Sequence, residues 1–280
     1  MDSAQVGRII RLALEEDLPA GDLTTETFVP ADTVAEAELV AREPGVLSGG
    51  EVFARTFRTV DPAVEVLLHA DDGDRFASGQ PLASVRGPAR GVLTGERVAL
   101  NLLQRMSGIA TLTAAFVGAV ADSGARIVDT RKTTPGLRVL ERCAVRCGGG
   151  SNHRSSLSDA VMLKDNHLAL IGGEPGGLSA TIRAARAKLP HTVHIEVEVD
   201  RLDQIPEALE GGADTIMLDN FSTTDLLRGV ELIGGEALVE ASGGVTLETV
   251  AEIAQTGVDL ISVGALTHGV RALDLGLDFL

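Results

Sequence analysis

Lysine is scarce in this sequence and is concentrated in two polar segments. The chain has three lysines against twenty-one arginines. Two of the three, Lys132 and Lys164, lie in the segments 129–138 and 162–167. A compact, rotatable ammonium can do chemistry that a planar guanidinium cannot. We therefore expect the chemistry of this protein at these two segments.

The region around both lysines is positively charged, although the whole chain is acidic. Residues 126–167 include eight Lys or Arg and four Asp or Glu, whereas the net charge of the chain is −16. An acidic surface repels nucleic acid, and a chain with seven Phe and no Trp or Tyr offers few rings on which bases could stack. A small polyanionic ligand fits this charge distribution better.

Five basic side chains are expected to line a site for carboxylates and phosphates: Arg131, Lys132, His153, Arg154 and Lys164. His153 and Arg154 follow a run of glycines at 148–150, which predicts a flexible turn that delivers both. His153 could equally be a hydrogen-bonded loop histidine. A solvated helix face is favoured over ligand contact for three further arginines: Arg138, Arg142 and Arg146.

Acidic residues alternate with aliphatic ones in a segment that is typical of a buried strand. The alternation in 194–200 places Glu196, Glu198 and Asp200 on one face, which must meet water or cations. Asp219 and Glu240 are acids on two other such segments. One interpretation is a purely structural salt-bridge network with the lysines. The other is that Glu198 and Asp219 accept hydrogen bonds from sugar hydroxyls or hold a hydrated Mg²⁺ against a diphosphate.

Two glycine turns near the carboxyl end of the chain predict a phosphate site. Ser242, Gly243 and Gly244 follow one apolar run, and Val263, Gly264 and Ala265 end the next. Backbone N–H groups at such turns bind anions, and the last two loops are the usual phosphate site of a barrel of parallel strands. Either turn could also be structural.

The elements that must position these residues fall into two groups. Residues 3–17 have the apolar spacing of one amphipathic helix. Residues 34–90 read as a small sheet domain with a helix on it. Two helices are then predicted at 94–106 and 111–122, with a domain boundary at Ser107 and Gly108 between them. The predicted domains are 1–108, 109–267 and a segment 268–280 that returns to the first.

Six short apolar runs follow residue 125, each with polar or glycine residues at its end and a helix-length segment behind it. They are 126–129, 160–164, 193–199, 215–219, 238–242 and 260–264. Repeated βα units predict a parallel sheet, and chemistry-bearing residues at every strand end favour a closed or nearly closed ring over an open doubly wound sheet. We therefore expect an α/β fold with an incomplete, about six-stranded barrel and an N-terminal α/β sandwich domain.

The composition is that of an ordinary soluble globular protein, and we expect a cytoplasmic location. The chain has 280 residues, of which 44% are hydrophobic. It starts without a basic segment and has no apolar run of the about eighteen residues that a membrane helix needs, so no signal peptide or membrane span is expected. Cys143 and Cys147 are expected to be reduced thiols on one helix face.

Six motifs occur in a fixed order: DTRKTTPGLR at 129–138, GGGSNHR at 148–154, LKDNH at 163–167, EVEVD at 196–200, MLDNF at 217–221 and ASGGV at 241–245. Together they resemble the quinolinate phosphoribosyltransferase family, also called nicotinate-nucleotide pyrophosphorylase (carboxylating). The similarity extends from Glu16 to His268, in order. The family's fold, an N-terminal sandwich and an α/β barrel of about six strands, agrees with the one predicted above.

The resemblance implies the reaction of quinolinate with phosphoribosyl pyrophosphate, with Mg²⁺, to give nicotinate mononucleotide, pyrophosphate and carbon dioxide in NAD biosynthesis. It implies catalytic roles for four residues: Lys132, Lys164, Glu198 and Asp219. The implied substrate-binding set adds Arg97, Thr130, Arg131, His153 and Arg154. The implied phosphate-binding residues are Ser242, Gly243, Gly244, Val263, Gly264, Ala265 and His268. Arg97 would enter the site of a partner subunit, which implies a homodimer or a higher oligomer.

Two departures from the family pattern are expected to affect packing and the loop near Arg154, and neither changes a charged residue of the site. Cys143 stands where an aromatic residue is expected, and Ser155 and Ser156 follow Arg154 where a glycine is usual. Two alternative functions are a phosphoribosyltransferase of the same fold with another acceptor and a non-catalytic sensor of a phosphorylated metabolite. The first would leave several buried cations unpaired. The second would be expected to have lost Lys132, Glu198 or Asp219, and all three are present.

Overall fold

The computed structural model describes residues 3–171 and 177–280. Its helices are α1 Ser3–Asp17, α2 Leu23–Phe28, α3 Gly50–Val60, α4 Ala89–Ala119, α5 Arg138–Cys147, α6 Asp165–Ile171, α7 Gly177–Arg186, α8 Ile205–Gly211, α9 Thr223–Ile233, α10 Val250–Ala254 and α11 Ala265–His268. Its strands are β1 Val34–Ala41, β2 Gly45–Val46, β3 Glu65–Leu68, β4 Arg75–Phe76, β5 Pro81–Pro88, β6 Arg126–Val128, β7 Val161–Leu163, β8 Ile195–Val199, β9 Thr215–Asp219, β10 Leu238–Ser242, β11 Leu260–Ser262 and β12 Leu275–Phe279.

The six apolar runs form one parallel sheet, as predicted. Its strand order is β6-β11-β10-β9-β8-β7, and each neighbouring pair is parallel. The two edge strands, β6 and β7, are not paired with each other in the described part of the chain, so the sheet is an incomplete barrel. All six carboxyl ends therefore lie at one edge of the sheet.

The N-terminal part is built on an antiparallel sheet with the order β12-β1-β5-β3. Helix α3 contributes Phe53 and Phe57, which are four residues apart and therefore share one helix face. Their rings pack edge to face with centroids 5.1 Å apart, in a core with Leu39 and Leu82 of the sheet. The last strand, β12, pairs with β1, so the carboxyl end of the chain completes this sheet.

The predicted break between two helices at Ser107 and Gly108 is wrong. One helix, α4, runs through both residues. Ser107 is fully buried, and its hydroxyl accepts a hydrogen bond from the backbone N–H of Ser48. A Cβ on Gly108 would lie 2.2 Å from the carbonyl oxygen of Arg271. Ser107 and Gly108 therefore form a close-packing site inside a helix. Their sequence pattern alone is typical of a loop, which is why the prediction failed.

Internal contacts group the chain into two compact units. One consists of Met1–Ala114, Thr133–Gly149 and Leu266–Leu280, and the other of Ala115–Lys132 and Gly150–Ala265. The grouping differs from the predicted domains mainly in the segment 133–149, and the predicted bounds stay a prediction. Cys143 and Cys147 both lie on α5 as free thiols, as expected. None of the described helices combines the length and the apolar character that a membrane span requires.

Candidate active site

A cavity of about 440 Å³ lies among the carboxyl ends of the parallel strands. It is lined by Thr130, Arg131, Lys132, His153, Arg154, Met162, Lys164, Glu198, Met217, Asp219, Ser242 and Ser262. These residues lie on or directly after β6, β7, β8, β9, β10 and β11, or in the turn around 153. The structure thus brings together most of the predicted substrate-binding residues in one place.

The positive part of the cavity is built from residues that follow β6 and from residues at the end of the 148–154 turn. Lys132 is exposed, and its backbone N–H donates to the hydroxyl of Thr130 at 3.0 Å, which fixes the start of the loop. The guanidinium of Arg154 donates to the carbonyl oxygen of Ala160 at 3.2 Å. Burial and the neighbouring charge of Arg131 lower the pKa of Arg154. The cavity therefore concentrates positive charge that an anionic ligand would neutralise.

Glu198 and Asp219 form the acidic part of the cavity, on the neighbouring strands β8 and β9. Glu198 makes an ion pair with the ammonium of Lys164. The Asp219 carboxylate accepts a hydrogen bond of 2.6 Å from the side-chain amide of Asn220. This pairing is compatible with both interpretations of the acidic strand face, because the carboxylates meet a lysine and also border the cavity. Asp200 does not belong to the cavity lining: it is exposed and pairs with Arg201.

A second cluster of charged residues lies behind the cavity wall. Nε2 of His153 is 3.1 Å from Oε2 of Glu196 and 3.4 Å from Oε2 of Glu240. Both glutamates are buried, with 3% and 0% of their surface exposed. Burial lowers the pKa of His153, but the two carboxylates beside its ring outweigh that effect and raise it to about 10. The sequence identified both glutamates as acids on buried strands but did not connect them with His153.

Asp129 holds the turn that carries His153. It is fully buried, and its carboxylate accepts hydrogen bonds from the backbone N–H of His153 at 2.7 Å and from the side chain of Asn152 at 2.5 Å. Ser151 also bridges to Val128 of β6. The turn is therefore tied to the end of β6, and the interpretation of His153 as a plain loop histidine does not describe its surroundings.

The first predicted glycine turn has the backbone that only glycine adopts easily. Gly243 and Gly244 have φ values of 95° and 59°. A Cβ on Gly243 would lie 2.1 Å from Oδ1 of Asn220, whose own φ of 58° is unusual for a residue with a side chain. The 242–244 turn and Asn220, which follows β9, are therefore packed against each other beside Asp219.

In the second predicted turn, one of the three backbone N–H groups is not available to bind phosphate. Val263 is buried, and its backbone N–H donates to the carbonyl oxygen of Val128 at 3.0 Å within the sheet. That N–H group is therefore occupied by strand pairing. The prediction for Gly264 and Ala265, which follow β11, remains open, and neither is part of the cavity lining. Arg97 on α4 and His268 on α11 are both exposed, and their predicted roles also stay predictions.

Three lining residues were missed by the sequence analysis: Met162, Met217 and Ser262. Each lies two residues before a predicted site residue, namely Lys164, Asp219 and Gly264. Alternate residues of a strand share a face, so the period of two was sufficient to find them. Of the two departures noted above, Ser155 and Ser156 both donate from their hydroxyls to the carboxylate of Asp159, which closes a small loop after Arg154. Cys143 is half-buried on α5.

Comparison with protein families identifies two matching models. The model described as "Quinolinate phosphoribosyl transferase, C-terminal domain" matches residues 109–278, and the one for the N-terminal domain matches residues 22–107. A nicotinate-nucleotide pyrophosphorylase [carboxylating] of Mycobacterium leprae is 48% identical over 275 residues, which cover 96% of this chain and 95% of that protein. A probable nicotinate-nucleotide pyrophosphorylase [carboxylating] of Bacillus subtilis is 42% identical over 278 residues, or 99% and 94% of the two chains.

Solved structures show the same similarity at the level of the fold. The crystal structure of NadC from Streptococcus pyogenes superposes with a TM-score of 0.94 at 41% identity and covers 100% of this chain and 99% of that one. A nicotinate-nucleotide pyrophosphorylase structure from Francisella tularensis gives 0.93 at 35% identity, with coverages of 100% and 98%. With the family models matching nearly the whole chain, this protein belongs to the quinolinate phosphoribosyltransferase family.

Proposed function

We propose that this protein transfers the phosphoribosyl group of phosphoribosyl pyrophosphate to quinolinate and releases pyrophosphate and carbon dioxide. The observation that carries the proposal is the composition of one cavity. Arg131, Lys132, Arg154 and Lys164 supply positive charge, and Glu198 and Asp219 lie at the ends of adjacent strands. The basic side chains suit a pyridine dicarboxylate and a diphosphate, and the two carboxylates suit the positive charge that develops on a sugar.

In the first step the ring nitrogen of quinolinate attacks C1 of the ribose, and the bond from C1 to the pyrophosphate oxygen breaks. Positive charge develops on C1 and the ring oxygen of the sugar as that bond lengthens. We assign the stabilisation of this charge to the carboxylates of Glu198 and Asp219. We assign the neutralisation of the negative charge on the departing pyrophosphate to Lys132 and Lys164. Their ammonium groups can follow the oxygens as these move away.

Mg²⁺ is part of this proposal. Carboxylate oxygens are the ligands that Mg²⁺ prefers, and it usually binds through one or two of them, several waters and the phosphates of a substrate. Glu198 and Asp219 both border the cavity on neighbouring strands, so this pair of residues fits a hydrated ion. When bound there, the ion would supply further neutralisation of the diphosphate.

In the second step the carboxylate next to the ring nitrogen leaves as carbon dioxide. The nitrogen is cationic once it carries the ribose, and its charge stabilises the electron pair that stays on the adjacent ring carbon when the bond to the carboxylate breaks. A proton then replaces the lost group on the ring carbon. No residue is needed to act as a general base. In this step the protein holds the cationic ring in place and keeps other groups away from the carboxylate that leaves.

The test is a turnover assay with quinolinate, phosphoribosyl pyrophosphate and Mg²⁺. We expect nicotinate mononucleotide, pyrophosphate and carbon dioxide to appear in equal amounts. Pyrophosphate release without carbon dioxide would show transfer to an acceptor that keeps its carboxylate. No product at all, with both substrates bound, would favour the sensor alternative.

A cytoplasmic location is also proposed, because Cys143 and Cys147 are free thiols, which suits a reducing compartment.

The 242–244 turn gives a test of the proposed phosphate site. Gly243→Ala places a Cβ at a positive φ and against Asn220, at a cost of about 1–3 kcal/mol for the backbone alone. We expect the KM for phosphoribosyl pyrophosphate to rise at least ~10-fold, because the turn must shift to relieve the contact. Gly235→Ala is the matched control, since Gly235 has a φ of 82° with open space around its Cβ position. An equal KM in both variants would contradict the assignment.

The proposed homodimer predicts subunit complementation. Arg97 is exposed on α4 and would complete the site of a partner subunit, whereas Lys164 lies in its own cavity. Arg97→Ala and Lys164→Ala proteins should each be inactive. A mixture that exchanges subunits should regain about a quarter of the wild-type activity, because half of the dimers then carry one intact site.

Lys132→Ala mixed with Lys164→Ala is the control for complementation. Both residues border the same cavity within one chain, so no intact site can form in their hybrids. Recovery in this control, or its failure in the Arg97 mixture despite proven subunit exchange, would place Arg97 in its own chain or outside the reaction.

A further inference from the structure

Two buried carboxylates converge on one nitrogen of His153. Oε2 of Glu196 and Oε2 of Glu240 lie 3.1 Å and 3.4 Å from Nε2. The second oxygen of Glu240 accepts a hydrogen bond from the hydroxyl of Ser262. The second oxygen of Glu196 and Oε2 of Glu240 are both buried and have no hydrogen-bond partner among the described residues, so the contact of Glu240 with the ring is electrostatic. The cluster is therefore anionic, and its carboxylates depend on the imidazole for compensation.

The arrangement is built from separate strands. Glu196 is on β8, Glu240 is on β10, and His153 is on the turn that Asp129 ties to β6. Both acids start from strand backbone and are buried, so packing leaves their side chains little room to turn away from the ring. A pair of like charges held this close in a buried place is costly unless a proton or a cation lies between them.

The charged surroundings of His153 are mixed. His153 meets the carboxylates of Glu196 and Glu240, and its backbone is held by Asp129. The guanidinium of Arg154 is within electrostatic reach of Glu196 and of the positive charge of Arg131, and His194 also acts on Glu196. Burial is the main reason why the pKa of Glu196 is raised. The two carboxylates outweigh burial at the ring and raise the pKa of His153 to about 10.

We propose that Glu196 and Glu240 are positioning residues that hold the imidazole of His153 protonated at the cavity wall, where it binds a carboxylate of the aromatic acid substrate. The identity of that ligand rests on the proposed function. The two glutamates do not line the cavity and act through His153. They convert a group that ordinarily loses its charge near neutral pH into a permanent cation of the site.

The second ring nitrogen is where the ligand meets this arrangement. In the structure the backbone N–H of Arg154 donates to Nδ1 at 2.7 Å. A ring that carries two protons can no longer accept there, and its Nδ1–H needs an acceptor. A carboxylate of the bound acid supplies that acceptor. In the ligand-free protein the protonated ring gives up the Arg154 contact, and its Nδ1–H donates to water in the open cavity; the bound carboxylate replaces that water, while Nε2 keeps its proton between the two glutamates.

The first test is a titration of the His153 ring by nitrogen NMR in the ligand-free protein, which requires no turnover. We expect the wild-type ring to remain protonated up to at least about pH 9. In Glu196→Gln and Glu240→Gln its pKa should fall by roughly two units or more, because burial remains and one carboxylate charge is lost. Glu252→Gln, an exposed site on α10, is the matched control and should titrate as the wild type. A wild-type ring that titrates near its ordinary pKa of about 6.5 would overturn the proposal even if both variants fail to fold.

The second test links the ring to the substrate. The KM for quinolinate in both variants should be near the wild-type value at pH 6 and should rise about fourfold or more by pH 8.5, with a smaller change in kcat, because a ring pKa of about 8 or lower leaves about a quarter or less of the rings protonated there. The sign follows from the lowered pKa: the ring is charged below it and neutral above it. If the NMR titration shifts but the KM of the variants follows the wild-type pH profile, the charge of His153 is not used for binding. If the wild type does not turn over quinolinate while the titration behaves as expected, the proposed function fails and the positioning of His153 stands.

Discussion

Replacing Lys132 by alanine should lower kcat/KM. The expected decrease corresponds to a loss of about 3–5 kcal/mol of transition-state stabilisation, which is typical when a main charge stabiliser is removed. The residue is exposed at the cavity and follows β6, with its backbone fixed by Thr130. Its ammonium is assigned to the departing pyrophosphate, so the loss should appear mainly in kcat. The free energy of unfolding should hardly change, because the side chain contributes nothing to the core.

Lys188→Ala is the matched control for this variant. Lys188 is the third lysine of the chain and is exposed outside the cavity. It removes the same charge and the same side chain, so both variants should share a melting temperature and differ only in turnover. Near-normal kcat in Lys132→Ala would remove this residue from the mechanism.

The parallel sheet and the cavity could be predicted from the sequence because both follow from periodicity. Each of the six strands is a short apolar run, and the side chains at their carboxyl ends must meet at one edge. Lys164 and Asp219 end two of these runs, and both border the cavity, as this rule predicts. The same period of two would have added Met162 and Met217, which share a strand face with predicted residues.

What the sequence could not provide is the outcome of packing between distant segments. Ser107 and Gly108 look like a loop, but a buried hydroxyl bond and the approach of the backbone at Arg271 make them part of α4. The approach of Glu196 and Glu240 to His153 joins three segments that are far apart in the chain. Similarly, only the strand register shows that the N–H of Val263 is occupied by Val128.

Quinolinate should be preferred over nicotinate by at least a hundredfold in kcat/KM. The cavity presents Arg131, Arg154 and Lys164, together with the ring of His153. These charges match two carboxylates and a pyrophosphate better than one carboxylate and a pyrophosphate. Losing one partner of a desolvated charge pair costs about 3 kcal/mol or more. At roughly 1.4 kcal/mol per factor of ten, this cost corresponds to a hundredfold or more.

The preference depends on geometry as well as on charge. The carboxylate that nicotinate lacks is the one that leaves in the second step of the proposed reaction. An acceptor without it can be ribosylated but cannot release carbon dioxide. Product analysis therefore separates binding of the acid from the decarboxylation that follows transfer.

The most direct test compares the two acids at equal concentrations of phosphoribosyl pyrophosphate and Mg²⁺, with pyrophosphate and carbon dioxide both counted. We expect quinolinate to give one carbon dioxide for each pyrophosphate at a kcat/KM at least about a hundredfold above that for nicotinate. Equal kcat/KM values for the two acids, or pyrophosphate from quinolinate without carbon dioxide, would contradict the account, because the cationic cavity would then serve the phosphates alone.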